Sequence, residues 1–91
     1  MRDFKIVEKK ETTDNADLRI SVGEGANRAE IEEIADHLRN DVLRNKNRML
    51  LMFFDSELNA RRDKFKVSSR YCIYYYIRSC NHLDVRWDKP E

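Results

Sequence analysis

The sequence predicts an α+β fold: a two-layer sandwich of element order ββαβββ, with one main helix (residues 28–44) on one face of a mixed sheet. Three observations carry this. Arg48-Met49-Leu50-Leu51-Met52-Phe53-Phe54-Asp55 sets six apolar residues in a row between charges, too short for a bilayer and without the polar alternation of a half-wet strand. It reads as a central strand covered on both faces. Residues 28–44 carry Ile31, Ile34, Ala35, Leu38, Val42 and Leu43 on one helical stripe. Tyr71-Cys72-Ile73-Tyr74-Tyr75-Tyr76-Ile77 is β-branched and aromatic with no Gly or Pro, a strand-forming composition.

Taken in order, Phe4-Lys5-Ile6-Val7-Glu8-Lys9 predicts a first strand. Asp14 and Asn15 supply turn chemistry, and Leu18-Arg19-Ile20-Ser21-Val22 alternates as a second strand, so the two form a hairpin. Gly23-Glu24-Gly25 ends it. Asn27, followed three residues later by Glu30, has capping-box spacing and starts the helix. Acidic Glu30, Glu32 and Glu33 open that helix and Arg39 and Arg44 lie toward its end, as its dipole favours. A helix of that length runs back along a strand, so strands 18–22 and 48–54 become parallel neighbours or near-neighbours. Residues 56–63 offer Leu58 as their one large apolar side chain and are expected to form a loop rather than a helix. Phe65-Lys66-Val67 is expected to extend the next strand. Asn81-His82 suits a turn, and Val85-Arg86-Trp87 makes a short last strand.

Ninety-one residues with 41% hydrophobic side chains, four Phe, four Tyr and one Trp are enough for one domain with one core over residues 1–91. The formal charge of +1 conceals an asymmetry. Residues 1–45 hold 8 Lys/Arg against 11 Asp/Glu, and residues 46–91 hold 10 against 6. The positive part is densest over 44–70, a level that attracts an acidic partner but falls far below a dedicated DNA coater. The charged start Met1-Arg2-Asp3-Phe4-Lys5 leads into no apolar run of signal-peptide length, so the cytoplasm is the expected location and no membrane is expected as partner. Cys72 and Cys80 are expected as reduced thiols, because eight residues of continuous strand exceed disulfide reach.

One helix cannot roof five strands, so a partly open sheet face is expected. In the strand 71–77, Tyr71, Ile73, Tyr75 and Ile77 point one way and Cys72, Tyr74 and Tyr76 the other. The set containing the aliphatics is assigned to the helix. That leaves Tyr74 and Tyr76, with Phe54 and Arg78, as an interaction face. Arg61, Arg62, Lys64 and Lys66 are expected to form its basic rim. Tyr, Phe and Arg are enriched at interfaces, which points to a non-enzymatic module that binds another protein or its own copy. Single-stranded nucleic acid is the alternative partner, its bases stacked on Tyr74 and Tyr76 and its phosphates held by the 44–70 basic region. A third reading has the C-terminal strand and the 56–66 segment folding over this ground and burying it.

Catalytic readings are weaker. Asp55 and Glu57 after the central strand resemble a carboxylate pair for a metal-dependent hydrolase, yet spacing supplies no third ligand or base. Glu8-Lys9-Lys10 has half of a nuclease signature without its preceding Asp. His37, between Glu33 and Asp41, reads as a solvated helix residue. Cys72, Cys80 and His82 lack a zinc pattern. No catalytic residue, cofactor or metal is therefore expected. The helix start Asn27-Arg28-Ala29-Glu30-Ile31-Glu32-Glu33-Ile34-Ala35, the apolar strand Met49 to Phe54 and the late strand ending near Trp87 resemble small α+β domains of unknown function in bacterial proteins. The resemblance covers residues 4–87 as spacing; it implies the strand order and carries over no catalytic residue.

Overall fold

The computed structural model describes residues 1–61 and 69–89. It is the expected α+β architecture, with five strands, β1 (Lys5–Glu11), β2 (Asn15–Ser21), β3 (Arg48–Phe54), β4 (Arg70–Ile77) and β5 (His82–Trp87), forming one mixed sheet in chain order. Helix α1 (Arg28–His37) crosses between β2 and β3, which pair parallel, and every other neighbouring pair is antiparallel. Short turns reverse the chain at β1–β2 and β4–β5, and α1 returns it so that β3 starts in the same direction as β2. The longer β3–β4 connection, which carries a helical turn of its own, joins an antiparallel pair.

The start of α1 is built as its spacing predicts. Asn27 accepts from the Glu30 amide at 2.8 Å, and Glu30 accepts from the Asn27 amide at 3.0 Å. These two bonds satisfy two of the four amides that a helix start leaves unpaired. The end departs from the expectation. A π-helical turn, Leu38–Val42, closes with the Leu43 amide on the Leu38 carbonyl at 2.7 Å. That wider turn moves the apolar position on by one residue: Leu43 is 3% exposed and Val42 55%. The 3.6-residue stripe therefore holds through Leu38 and fails at Val42.

The core lies between α1 and one sheet face. Ala16, Leu18 and Ile20 of β2, Met49, Leu51 and Phe53 of β3, and Cys72, Tyr74 and Tyr76 of β4 pack there with Ile31, Ile34, Ala35 and Leu38. The central strand is thus covered fully on the helix side only, for Leu50 and Met52 on its other side keep part of their surface exposed. Residues 56–61 hold a helical turn where a loop is expected. Helix α2 (Glu57–Ala60) is capped by Ser56, which accepts from the Asn59 amide at 3.2 Å. It is anchored from outside its own sequence, because Arg19 Nε donates to the Ala60 carbonyl at 2.5 Å and Ala60 is buried. The proposed strand extension Phe65-Lys66-Val67 lies outside the described residues. Among those described, no helix is long and apolar enough to cross a membrane.

Candidate functional site

The two sides of β4 are the reverse of the expected assignment. Tyr74 pairs with Leu51 and Tyr76 with Met49, on the side under α1. They are 2% and 6% exposed. Tyrosine suits this position because its ring adds a large buried area while its hydroxyl reaches the core's edge. The Tyr74 hydroxyl donates to Asp36 of α1 at 3.3 Å, and that of Tyr76 to Asn81 at 2.9 Å. Burial, opposed in part by Arg39, pushes the Tyr74 hydroxyl up to about 12. Tyr71 also turns toward α1, because a bulge opposite Phe53 and Phe54 breaks the alternation there. Its hydroxyl donates to the Gly23 carbonyl at 3.0 Å.

The other members of the expected interaction face are also engaged inside the molecule. Phe54 does lie on the side away from α1, but it is fully buried. The Arg19 guanidinium lies 4.7 Å over its ring, and the same Arg19 holds α2. Arg78 donates to the Arg39 carbonyl at 2.8 Å, the Leu43 carbonyl at 3.3 Å and the Lys46 carbonyl at 3.0 Å. It caps the C-terminal end of the α1 segment, where carbonyls lack amide partners. Tyr74, Tyr76, Phe54 and Arg78 consequently form no shared surface. The nucleic-acid reading loses its two stacking residues for the same reason. Of the basic rim, Arg61 is exposed and 4.0 Å from Glu57; Arg62, Lys64 and Lys66 lie outside the described residues.

The open face is formed instead by the complementary set. Leu50 and Met52 of β3 and Ile73, Tyr75 and Ile77 of β4 are each partly exposed. Cross-strand pairing arranges them in rungs. One rung runs Asp17, Leu50, Tyr75, Asp84, and the next runs Arg19, Met52, Ile73, Arg86. From β2 to β5 the apolar centres are therefore flanked by carboxylates on one rung and guanidinium groups on its neighbour, and β1 extends the rungs with the opposite charges, Lys10 beside Asp17 and Glu8 beside Arg19. Asp17 Oδ1 is buried and accepts no hydrogen bond, its nearest cation being Arg48 at 3.6 Å. Of the third sequence reading, α2 lies by buried Phe54 and, beyond β5, Asp88 pairs with buried Arg70; residues 62–66 of the segment it invokes lie outside the described residues.

The carboxylates proposed for catalysis do not converge on a common ligand. Asp55 accepts from Asn59 at 2.8 Å and from Lys89 at 3.2 Å. Glu57 pairs with Lys5 at 2.8 Å, a hydrogen bond that lowers its pKa. Each is already neutralised by its own cation. His37 pairs with Asp41 at 2.9 Å, while Glu33 lies 3.6 Å from the chain's amino group. Cys72 and Cys80 are free, the first buried and the second exposed. Burial pushes the Cys72 thiol up to about 12, against reactivity. Among the described residues, no group of three His, Cys, Asp or Glu side chains could hold a metal ion.

Sequence reading missed a cavity of about 180 Å³ between the start of α1 and the end of β5. Ala26, Ile31, Tyr71 and Trp87 supply apolar wall, with Arg28 and Lys89 as cations. The Arg28 guanidinium lies 4.8 Å over Trp87, and Lys89 Nζ 4.2 Å over Tyr71. Nothing in the spacing joins residues 28, 71 and 87; the β4 bulge and the β4–β5 pairing bring them together. Comparison with protein-family models, curated proteins and solved structures finds no match.

Proposed function

We propose that the chain is a non-enzymatic self-association module whose open sheet face receives a second copy of itself. The supporting observation is the order of charges across that face. A two-fold axis crossing the strands between the two rungs turns the second copy end for end. Asp84 then meets Arg86 of the other copy, and the apolar centres Leu50 and Tyr75 meet Met52 and Ile73. A contact of this kind is isologous, every pairing occurring twice, and it closes at two copies. Self-complementary charge also penalises other registers, since a shift by one rung sets like charges against each other.

Sedimentation or light scattering across a concentration series tests the reading. The expected result is a dimer that Ile73→Asp converts to a folded monomer. Asp84→Arg and Arg86→Asp should each weaken the dimer, and the double exchange should restore it, because the swapped charges again meet opposites. A chain that stays monomeric up to about 1 mM, weaker than a useful specific association, would overturn the proposal. So would charge variants whose single and double exchanges behave alike.

A further inference from the structure

The cavity at the start of α1 has the chemistry of a ligand site, and it lies on the opposite side of the sheet from the open face. Its cations are not equivalent. Lys89 is already neutralised by Asp55 at 3.2 Å. Arg28 makes no hydrogen bond or ion pair among the described residues, and its Nε is buried without an acceptor. A buried charge-bearing donor left unpaired is costly, and stacking on Trp87 compensates through the ring face alone, leaving the N–H without a partner. The capping box adds to the imbalance. It occupies the amides of Asn27 and Glu30, while those of Arg28 and Ala29 have no acceptor among the described residues. Asn27, its side chain engaged by the Glu30 amide, also lines the site, and the rest of the wall is apolar: Ile31, Ala26 and the faces of Tyr71 and Trp87.

We propose that this cavity binds a small monocarboxylate with an apolar or aromatic body. The carboxylate takes the free donors of Arg28, and the body lies against Ile31, Tyr71 and Trp87. A volume of about 180 Å³ sets the upper size, since a cavity of about 150 Å³ accommodates a benzene ring. A planar carboxylate matches a guanidinium better than it matches an ammonium, so Arg28 is the specific anchor. Lys89, held over Tyr71 and tied to Asp55, lines the wall and is not the anchor. A free acid and the C-terminus of a peptide ending in an apolar residue present the same carboxylate, and the same donors serve both.

Trp87 is the chain's one tryptophan, so its fluorescence reports the site directly. Benzoate and isovalerate are titrated beside benzamide, which keeps the ring and removes the charge. Two short peptides ending in Leu, one with a free and one with an amidated C-terminus, form the second arm. The expected result is a saturable Trp87 response to at least one carboxylate and none to its neutral counterpart. Whichever arm responds identifies the source. Arg28→Gln should weaken binding roughly tenfold or more, with Arg28→Lys intermediate and both variants keeping the wild-type circular dichroism. Equal responses to acid and amide would overturn the proposal, as would undiminished binding by Arg28→Gln. Absence of saturation by every carboxylate below about 10 mM, where affinity is too weak to be specific, would do the same. Oligomeric state does not enter these readouts, so this test and the self-association test fail independently.

Discussion

The two faces of the sheet are made from the same strands and both carry aromatic and aliphatic side chains, yet they do different work. Under α1, Leu51, Phe53, Tyr74 and Tyr76 are sealed, with tyrosine hydroxyls satisfied at the margin. On the other side, Leu50, Met52, Ile73, Tyr75 and Ile77 alternate with charge and stay partly exposed. Aromatic content therefore does not mark the surface that is available for binding. What separates the faces is whether a covering element and a set of polar partners arrive together on one side.

Neighbouring residues of β3 offer the sharpest way to break that contrast. Leu51→Ala should cost about 3 kcal/mol in urea denaturation, because it opens a cavity beneath the helix. Met52→Ala, one residue along and facing the other way, should cost less than about 1 kcal/mol when the protein is dilute. Similar costs for the two would show that the open face is as tightly packed as the core.

Arg78→Ala comes next. It should destabilise the monomer by about 2 kcal/mol, since the carbonyls of Arg39 and Leu43 at the end of the helical segment, and of Lys46 just beyond it, lose a charged donor. Were Arg78 a surface contact residue instead, its removal would leave the urea midpoint unchanged.

Alkali probes the buried side alone. The Cys72 thiol has its pKa raised from 9.0 to about 12, and Tyr74 from 10.0 to about 12, burial being the first cause for each. The unfolded chain releases these protons first, so it binds fewer than the native state across that window. Stability must then fall as pH rises from 9.0 toward about 12. Urea midpoints measured on both sides of the window should show that decline, and Cys72→Ala should make it shallower. The mildest probe is thiol labelling. At neutral pH Cys80 should react and Cys72 should not, with both reacting in denaturant. Prompt labelling of two thiols in the native chain would contradict a closed helix face.

Much of the architecture was legible because it rests on local periodicity. The capping box at Asn27 and Glu30, the apolar run Arg48–Phe54 and the hairpin of the first two strands each appear where short-range chemistry places them. The misread features depend on distant partners. Helix α2 forms because Arg19, far away in the chain, holds the Ala60 carbonyl. Val42 leaves the helical stripe because a π-helical turn adds a residue. The cavity exists because Arg28, Tyr71 and Trp87 converge from three elements. No signal in the sequence gave Arg28 prominence, for an arginine at a helix start looks like any solvated charge until its surroundings are known.

The sequence by itself determined that β4 alternates from Cys72 to Ile77, with adjacent side chains there on opposite faces. Only the tertiary structure decided which face lies under the helix. A period of two carries no sign: it separates Tyr74 from Tyr75 without saying which is inside. That choice was made by the partners waiting on each side, Asp36 and Asn81 for the buried hydroxyls and a rim of alternating charge for the rest.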